Sequence, residues 1–346
     1  MNKDVHISRK KEIFPINDEL RKYLREYQRE SPVAIAYTDL LNFDQSIPLL
    51  DKNNKDTLWK IAMYPQFEIE RIYSGLKQIY AQLKASGNPK QIEHLFIERI
   101  DYCSFGNTHP FRIKIVNKYN DVYDYFYLKV PDASRIYGLE LEHILSPNQL
   151  NYLVDGNTLV EQHIHGIPGD MFIGQYMFRE GYNPKRIAKE FVKFNERCFV
   201  RLLGDMRAYN FVVEITPDFD DFHFRLRPID FDQQCYEGQY KVYLPQFFKE
   251  NFPFVQLAME YLNENVVEQY KQEERSLIVH RIKTERYRLK HLREAMSKDR
   301  LSKPEKIEQL AKELSEYYND PYFIKCKSMD KILDHSLKRL LRTVKA

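Results

Sequence analysis

Between His94 and Ile164 the hydrophobic pattern switches from the period of a helix to that of a strand, and then it switches back. A chain with that switch is an α+β chain. His94 to Cys103 reads as a strand, and Phe111 to Val116 alternates as F-R-I-K-I-V. After the turn-like Asn117 to Asp121, Val122 to Val130 forms a third strand rich in aromatic residues. Residues 132–145, DASRIYGLELEHIL, return to helical spacing behind Asp132, a residue type that caps helix N-termini. Leu150 to Val154 and Asn157 to Ile164 then read as a hairpin through Asp155 and Gly156. The order is three strands, one helix and two strands.

Helical periodicity dominates on both sides of this block. Residues 17–30 place apolar positions on one face behind Asn17 and Asp18, which are suited to cap a helix. Residues 55–85 continue with Trp59, Ile61, Ile69, Ile72, Leu76, Ile79 and Leu83, and Pro65 divides them into two expected helices. The segment from Ala85 to Pro89 is a break, so residues 1–90 are expected to form a helical N-terminal extension. Beyond Gly169, residues 185–200 give an amphipathic helix, and Phe211–Ile215 and Phe222–Ile229 give a hairpin. From about Pro245 onward the pattern is almost all helix.

Composition sets outer bounds. With 346 residues, 43% hydrophobic and 30% charged, the chain can bury a sizeable core, and neither disorder nor collagen describes it. No apolar run reaches the ~20 residues of a membrane span. The start, MNKDVHISRKKEIF, lacks the apolar segment of a secretory signal. Cys103, Cys198, Cys235 and Cys326 are far apart and form no CxxC pair, which reads as four reduced thiols in a cytoplasmic protein. The net charge is +3, yet residues 265–346 hold 20 Lys and Arg against 13 Asp and Glu. The densest basic stretch, His280 to Arg293, is either a solvated helix face or a surface for phosphates on nucleic acid or another anionic partner.

The segment with most chemical content is Leu203-Gly204-Asp205-Met206-Arg207-Ala208-Tyr209-Asn210, followed by the hairpin and then Ile229-Asp230-Phe231-Asp232. Carboxylates and an Asn at strand ends suit a hard cation such as Mg²⁺, which takes oxygen ligands and keeps several waters. The hairpin brings Asn210, before its first strand, near Asp230, after its second. Asp205 is left beside that pair to accept a proton or orient a nucleophile.

That order resembles the catalytic core of the protein-kinase-like superfamily, nearest to its aminoglycoside phosphotransferase and small-molecule kinase branch. The resemblance covers residues 93 to 232. It implies a bilobal fold with a small antiparallel-sheet lobe at 91–165, carrying one helix, and a larger, mainly helical lobe at 166–346. Lys129, near the end of the third strand, takes the place of the phosphate-binding lysine. Glu140 or Glu142 takes that of its glutamate partner, and Glu140 is favoured because it shares a face with Ile136 and Ile144. Leu159 to Ile164 and the following His165-Gly166-Ile167-Pro168-Gly169 look like the strand and hinge that hold adenine, with Gln162 and Ile164 as its contacts. Two features depart from the pattern. Leu203 stands where a His usually braces the loop, and the nucleotide-covering loop at 104–109 holds one glycine.

The resemblance implies an ATP- and Mg²⁺-dependent phosphotransferase acting on a hydroxyl acceptor, more readily a small molecule than a protein. Asp205 is its base, Arg207 faces the transferred group, and Asn210 and Asp230 hold the metal. Asp232 assists them or braces the turn. The alternative is a pseudokinase-type binding or scaffold module, and nucleotidyl transfer is also open. Outside this set, His163 and His165, with His143 upstream, read as structural rather than metal-binding. Asp218, Asp220 and Asp221 read as an exposed acidic turn rather than a Ca²⁺ site.

Overall fold

A computed structural model of the protein describes residues 11–51, 53–84, 92–104, 108–219 and 221–344. The chain is α+β and divides into two compact units.

The first unit comprises residues 21–131 and 150–163. Its sheet has seven antiparallel strands: β1 (Gln45–Leu50), β2 (Asp56–Met63), β3 (Leu95–Cys103), β4 (Phe111–Asn117), β5 (Tyr123–Lys129), β6 (Tyr152–Asp155) and β7 (Thr158–Gln162). They lie in the order β1-β2-β3-β4-β5-β7-β6. The alternation legible in β4 is realised: Phe111, Ile113 and Ile115 are buried, and they stand opposite Leu128, Phe126 and Asp124 of β5. Helix α3 (Gln66–Lys84; α1 and α2 are Asp18–Glu26 and Tyr37–Leu40) closes this core with Ile72, Leu76, Ile79 and Leu83. Asp101 is wholly buried within the sheet, where Arg99 and Arg112 both bond its carboxylate. Such a charge is tolerated only when it is paired.

Residues 1–90 are therefore not a helical extension. Pro65 marks a boundary as expected, but the segment before it is β2 and not a helix. Its Thr57, Trp59 and Ile61 alternate along a strand that pairs with β1 on one side and β3 on the other, with Trp59 opposite Cys103. Cross-strand pairing overrides weak local helical spacing. The break at Ala85–Pro89 lies outside the described residues.

The second unit comprises residues 11–20, 132–149 and 164–344. Helix α4 (Ala133–Leu145) starts at Asp132, whose carboxylate accepts the Ser134 N–H at 2.8 Å, as its position predicted. The resemblance assigned this helix to the sheet lobe, whereas it groups with the helical unit and packs on two of the C-terminal helices, α8 (Glu264–Thr284) and α9 (Arg286–Met296). A small sheet of β8 (Ile167–Pro168), β9 (Phe211–Asp218) and β10 (Asp221–Pro228) runs in the order β10-β9-β8. Helix α5 is Gly169–Gln175. Helix α6 (Pro184–Arg201) is capped by Asn183 and buries most of its length against α7 (Phe252–Tyr261), α8 and β10. Phe172, Phe191, Phe194, Phe211 and Phe254 interlock between these elements, with ring centroids 5.0–6.0 Å apart. Helices α10 (Pro304–Tyr318) and α11 (Met329–Thr343) complete the helical C-terminal region. Among the described residues, no helix is long and apolar enough to cross a membrane.

Candidate functional site

The Asp205–Asn210 loop follows directly from the end of α6. Leu202 turns the chain out of the helix in the left-handed conformation (φ 55°). Gly204 then passes so close to its surroundings that an added Cβ would stand 3.0 Å from Val242 and 3.2 Å from the Gln233 carbonyl. Asp205 is itself left-handed (φ 58°), a conformation that a residue without glycine's freedom holds only when its surroundings fix it. Its carbonyl takes the Asn210 side-chain amide at 2.7 Å and the Arg207 N–H at 2.9 Å, so the D-x4-N spacing closes into one ring.

The loop is clamped from two sides. On one side the N–H of Gly204 donates to Gln233, the N–H of Cys235 donates to Leu202, and the Gln234 side chain bonds the Arg201 and Leu202 carbonyls. On the other side the Asp205 N–H donates to Val242, and the buried Asn251 amide donates to Met206 at 2.8 Å. These bonds supply the support that Leu203, itself buried, cannot give in place of a histidine.

The hairpin brings its two ends together. Pro228 stands opposite Phe211, and the Ile229 N–H donates to the Asn210 carbonyl at 3.0 Å. Phe211 anchors one end by packing on Phe194 and Phe254. Phe231 anchors the other and is buried where Gly138 of α4 leaves room; a Cβ there would lie 2.9 Å from it. With Phe231 turned inward, Asp230 and Asp232 flank it and share one cation. Arg135 of α4, almost fully buried, reaches Asp230 at 2.9 Å and Asp232 at 2.8 Å from the same guanidinium nitrogen. The Asp232 N–H also donates to the Asp230 carboxylate at 3.1 Å.

Electrostatics mark Asp205 out. Burial pushes its carboxyl up from 3.8 to about 7; Arg207 opposes the shift, and the charges of Asp230 and Glu250 add to it. Arg207 bonds the Asp205 carboxylate at 2.8 Å, and its other nitrogens lie 3.2 Å from the Tyr209 hydroxyl and 3.6 Å from Glu250. A carboxyl that titrates near neutrality in a constrained loop has the properties of a general base.

Asn210 and Asp230 offer an amide oxygen and a carboxylate, both hard donors. The Asn210 amide nitrogen is committed to Asp205, while its oxygen has no partner among the described residues. Oxygen donors of this kind are the ones that a hard cation such as Mg²⁺ takes, so Asn210 and Asp230 are the residues that could hold one. Among the described residues, no group of three or more His, Cys, Asp or Glu side chains is placed to hold a metal by itself. Asp232 is held by the same Arg135 guanidinium nitrogen as Asp230, at 2.8 Å.

The sequence-predicted lysine and glutamate have other partners. Lys129 at the end of β5 bonds Glu161 of β7 at 2.9 Å, and both side chains are buried. Glu140, wholly buried, receives two nitrogens of Arg288 at 2.8–3.0 Å. Glu142 is paired with Arg201 and also bonds Asn148. Within its own sheet Lys129 is thus paired with Glu161, and within the helical unit Glu140 and Glu142 are paired with Arg288 and Arg201. Gln162 ends β7 with its N–H on the Asn151 carbonyl, and Ile164 is buried. Of the nucleotide-covering loop, Phe105 to Asn107 lie outside the described residues.

The remaining candidates have structural partners. His163 bonds the Tyr127 hydroxyl at 3.0 Å, and Asp218 pairs with His223; Asp220 lies outside the described residues. In the basic stretch, Arg281 caps the end of α4 through the His143 and Ile144 carbonyls, Arg288 holds Glu140, and Arg293 holds Asp334. All four cysteines are buried free thiols. Arg135, Gln234, Glu250 and Asn251 carried no sequence signal, since each acts through a contact more than 30 residues away. No protein-family model matches this chain, and no curated protein matches it in sequence.

Proposed function

We propose that this chain is a kinase-like phosphotransferase, with its two units in the roles of that fold's small and large lobes, and that it moves the γ-phosphoryl group of ATP to a hydroxyl acceptor. The observation that carries this reading is the closure of the Asp205–Asn210 loop onto the Ile229–Asp232 turn, with a near-neutral carboxyl beside two oxygen donors. Asp205, once ionised, orients the acceptor hydroxyl and takes its proton as the oxygen bonds to phosphorus. The bond from that phosphorus to the bridging oxygen breaks, and ADP leaves with the electron pair. Asn210 and Asp230 would hold Mg²⁺, which when bound neutralises charge on the phosphates. Arg207, bonded to the Asp205 carboxylate, would meet developing phosphoryl charge, and the resemblance gives Lys129, paired with Glu161, the role of holding the inner phosphates.

The test is ADP release from ATP with Mg²⁺ across a panel of sugars, amino alcohols and water, for wild type, Asp205→Asn and Asp230→Asn. Loss of turnover in both variants, with unchanged circular dichroism, is the expected result; full activity in either refutes the assignment. The Arg135 guanidinium already bonds both Asp230 and Asp232, which favours a second reading as a nucleotide-binding module without turnover. ATP that raises the melting temperature without any ADP release would select that reading.

A further inference from the structure

The helical unit contains a second polar cavity, of about 720 Å³, between α6, the β9–β10 hairpin and α8. Its lining is rich in cations: Lys185, Arg186, Lys189 and Lys193 from α6, and Arg225 from β10. The spacing of four that joins Lys185, Lys189 and Lys193 puts them on one helix face. The two acids in the lining are already committed. Glu190 bonds Arg197 at 2.5 Å and the Leu226 N–H at 3.0 Å, and Glu214 lies 3.5 Å from Arg227.

The cations are less well matched. Glu273 is shared by Lys189 and Lys193, at 3.5 and 2.8 Å. Arg225 bonds the uncharged Asn148 side chain. Lys185 has no side-chain partner among the described residues, and only Arg186 has an acid of its own, Asp221 at 2.8 Å. Arg197 is itself shared by Glu190 and Glu274, so with every partner included the lining keeps an excess of two positive charges. Thr216 and Tyr270 add hydroxyl groups in the same cavity.

We propose that this cavity binds a small anion carrying several phosphate groups. Its volume suits a molecule of that size, and ammonium and guanidinium groups together are the chemistry that takes phosphate oxygens. The inference is independent of the phosphotransferase reading, because none of the cavity's lining residues belongs to the Asp205–Asp232 site.

The probe is inorganic triphosphate, titrated calorimetrically into the full-length chain in EDTA, so that metal-dependent binding elsewhere is silent. Binding is expected, about tenfold or more weaker in Lys185→Gln/Lys189→Gln, and falling steeply as salt rises from about 0.05 to 0.3 M. Asp230→Asn and the exposed control Lys290→Gln should leave it unchanged. Orthophosphate, with fewer charges, should bind at least about tenfold more weakly than triphosphate. No heat at about 5 mM triphosphate with the chain folded would overturn the proposal. Binding that the paired lysine substitutions leave untouched would do so too, as would binding lost in Asp230→Asn. Capture of heparin at these lysines without triphosphate binding would point to an extended polyanion and would likewise overturn it.

Discussion

Replacing Asp205 by Asn should stabilise the protein while removing its proposed base. In the folded chain the carboxyl is pushed up from 3.8 to about 7, chiefly by burial. Between those two values the native state holds a proton that the unfolded chain has released. Stability therefore falls as pH rises through this window, and the full cost is present above about 7. Three units at about 1.4 kcal/mol each set a ceiling of about 4 kcal/mol. The side chain is 21% exposed, so water screens part of that, and the variant gives up its charge pair with Arg207. A net gain of about 1–2 kcal/mol at pH 8 is expected for Asp205→Asn, shrinking by about half or more at pH 5. Urea unfolding followed at the helical circular-dichroism band measures it, because the lone tryptophan, Trp59, lies in the other unit. An Asn variant no more stable than wild type at pH 8, or a gain that does not change with pH, would refute the assigned burial of Asp205.

Turnover should rise with pH through about 7 as Asp205 ionises, and a pH–rate profile that is flat from 6 to 8 would contradict its role as base. Arg135→Met leaves Asp230 and Asp232 crowded together without their cation; a loss of about 3–5 kcal/mol in urea unfolding is expected, with Arg135→Lys intermediate. Gly169→Ala drives a Cβ to 2.5 Å from the Ala208 carbonyl and the Phe211 ring, so it should cost about 1–3 kcal/mol and disturb the Asn210 loop, seen as a lower melting temperature. Lys129→Met removes the 2.9 Å ion pair with the buried Glu161 carboxylate and should lower stability by about 1–3 kcal/mol in urea unfolding, while Glu161→Gln/Lys129→Met recovers part of it.

The local pattern of β4 was legible because it buries one face, which imposes its period on the sequence, whereas α4 is buried on nearly every side and was legible from its Asp132 cap and apolar content. The capping roles of Asp132 and Asn17 were legible for the same local reason: each accepts an N–H two or three residues ahead. The Asp205–Asn210 ring also lies within a single loop, so its spacing carries its geometry. What could not be read was any contact fixed by distant chain. The strand character of Asp56–Met63 depends on Gln45–Leu50 and Leu95–Cys103 lying beside it. Glu140 shows the same limit. It was favoured over Glu142 for pointing inward, yet both are buried, and the cation that Glu140 meets is Arg288, 148 residues away.

Helix α4 draws these observations together. In the superfamily that the sequence resembles, the helix after the third strand serves that strand's lysine. Here every charged side chain of α4 for which a partner is known bonds into the helical unit: Arg135 to Asp230 and Asp232, Glu140 to Arg288, and Glu142 to Arg201. All three are nearly or wholly buried, and a buried charge deprived of its partner costs several kcal/mol. Those ion pairs give a physical reason for α4 to group with the helical unit. Lys129 is fixed within its own sheet by Glu161, on the adjacent strand. The Ile229–Asp232 turn is positioned by α4 directly, through Arg135. Arg135→Lys should therefore loosen the Asp230 turn and lower the melting temperature, and an unchanged melting temperature would contradict that anchoring role.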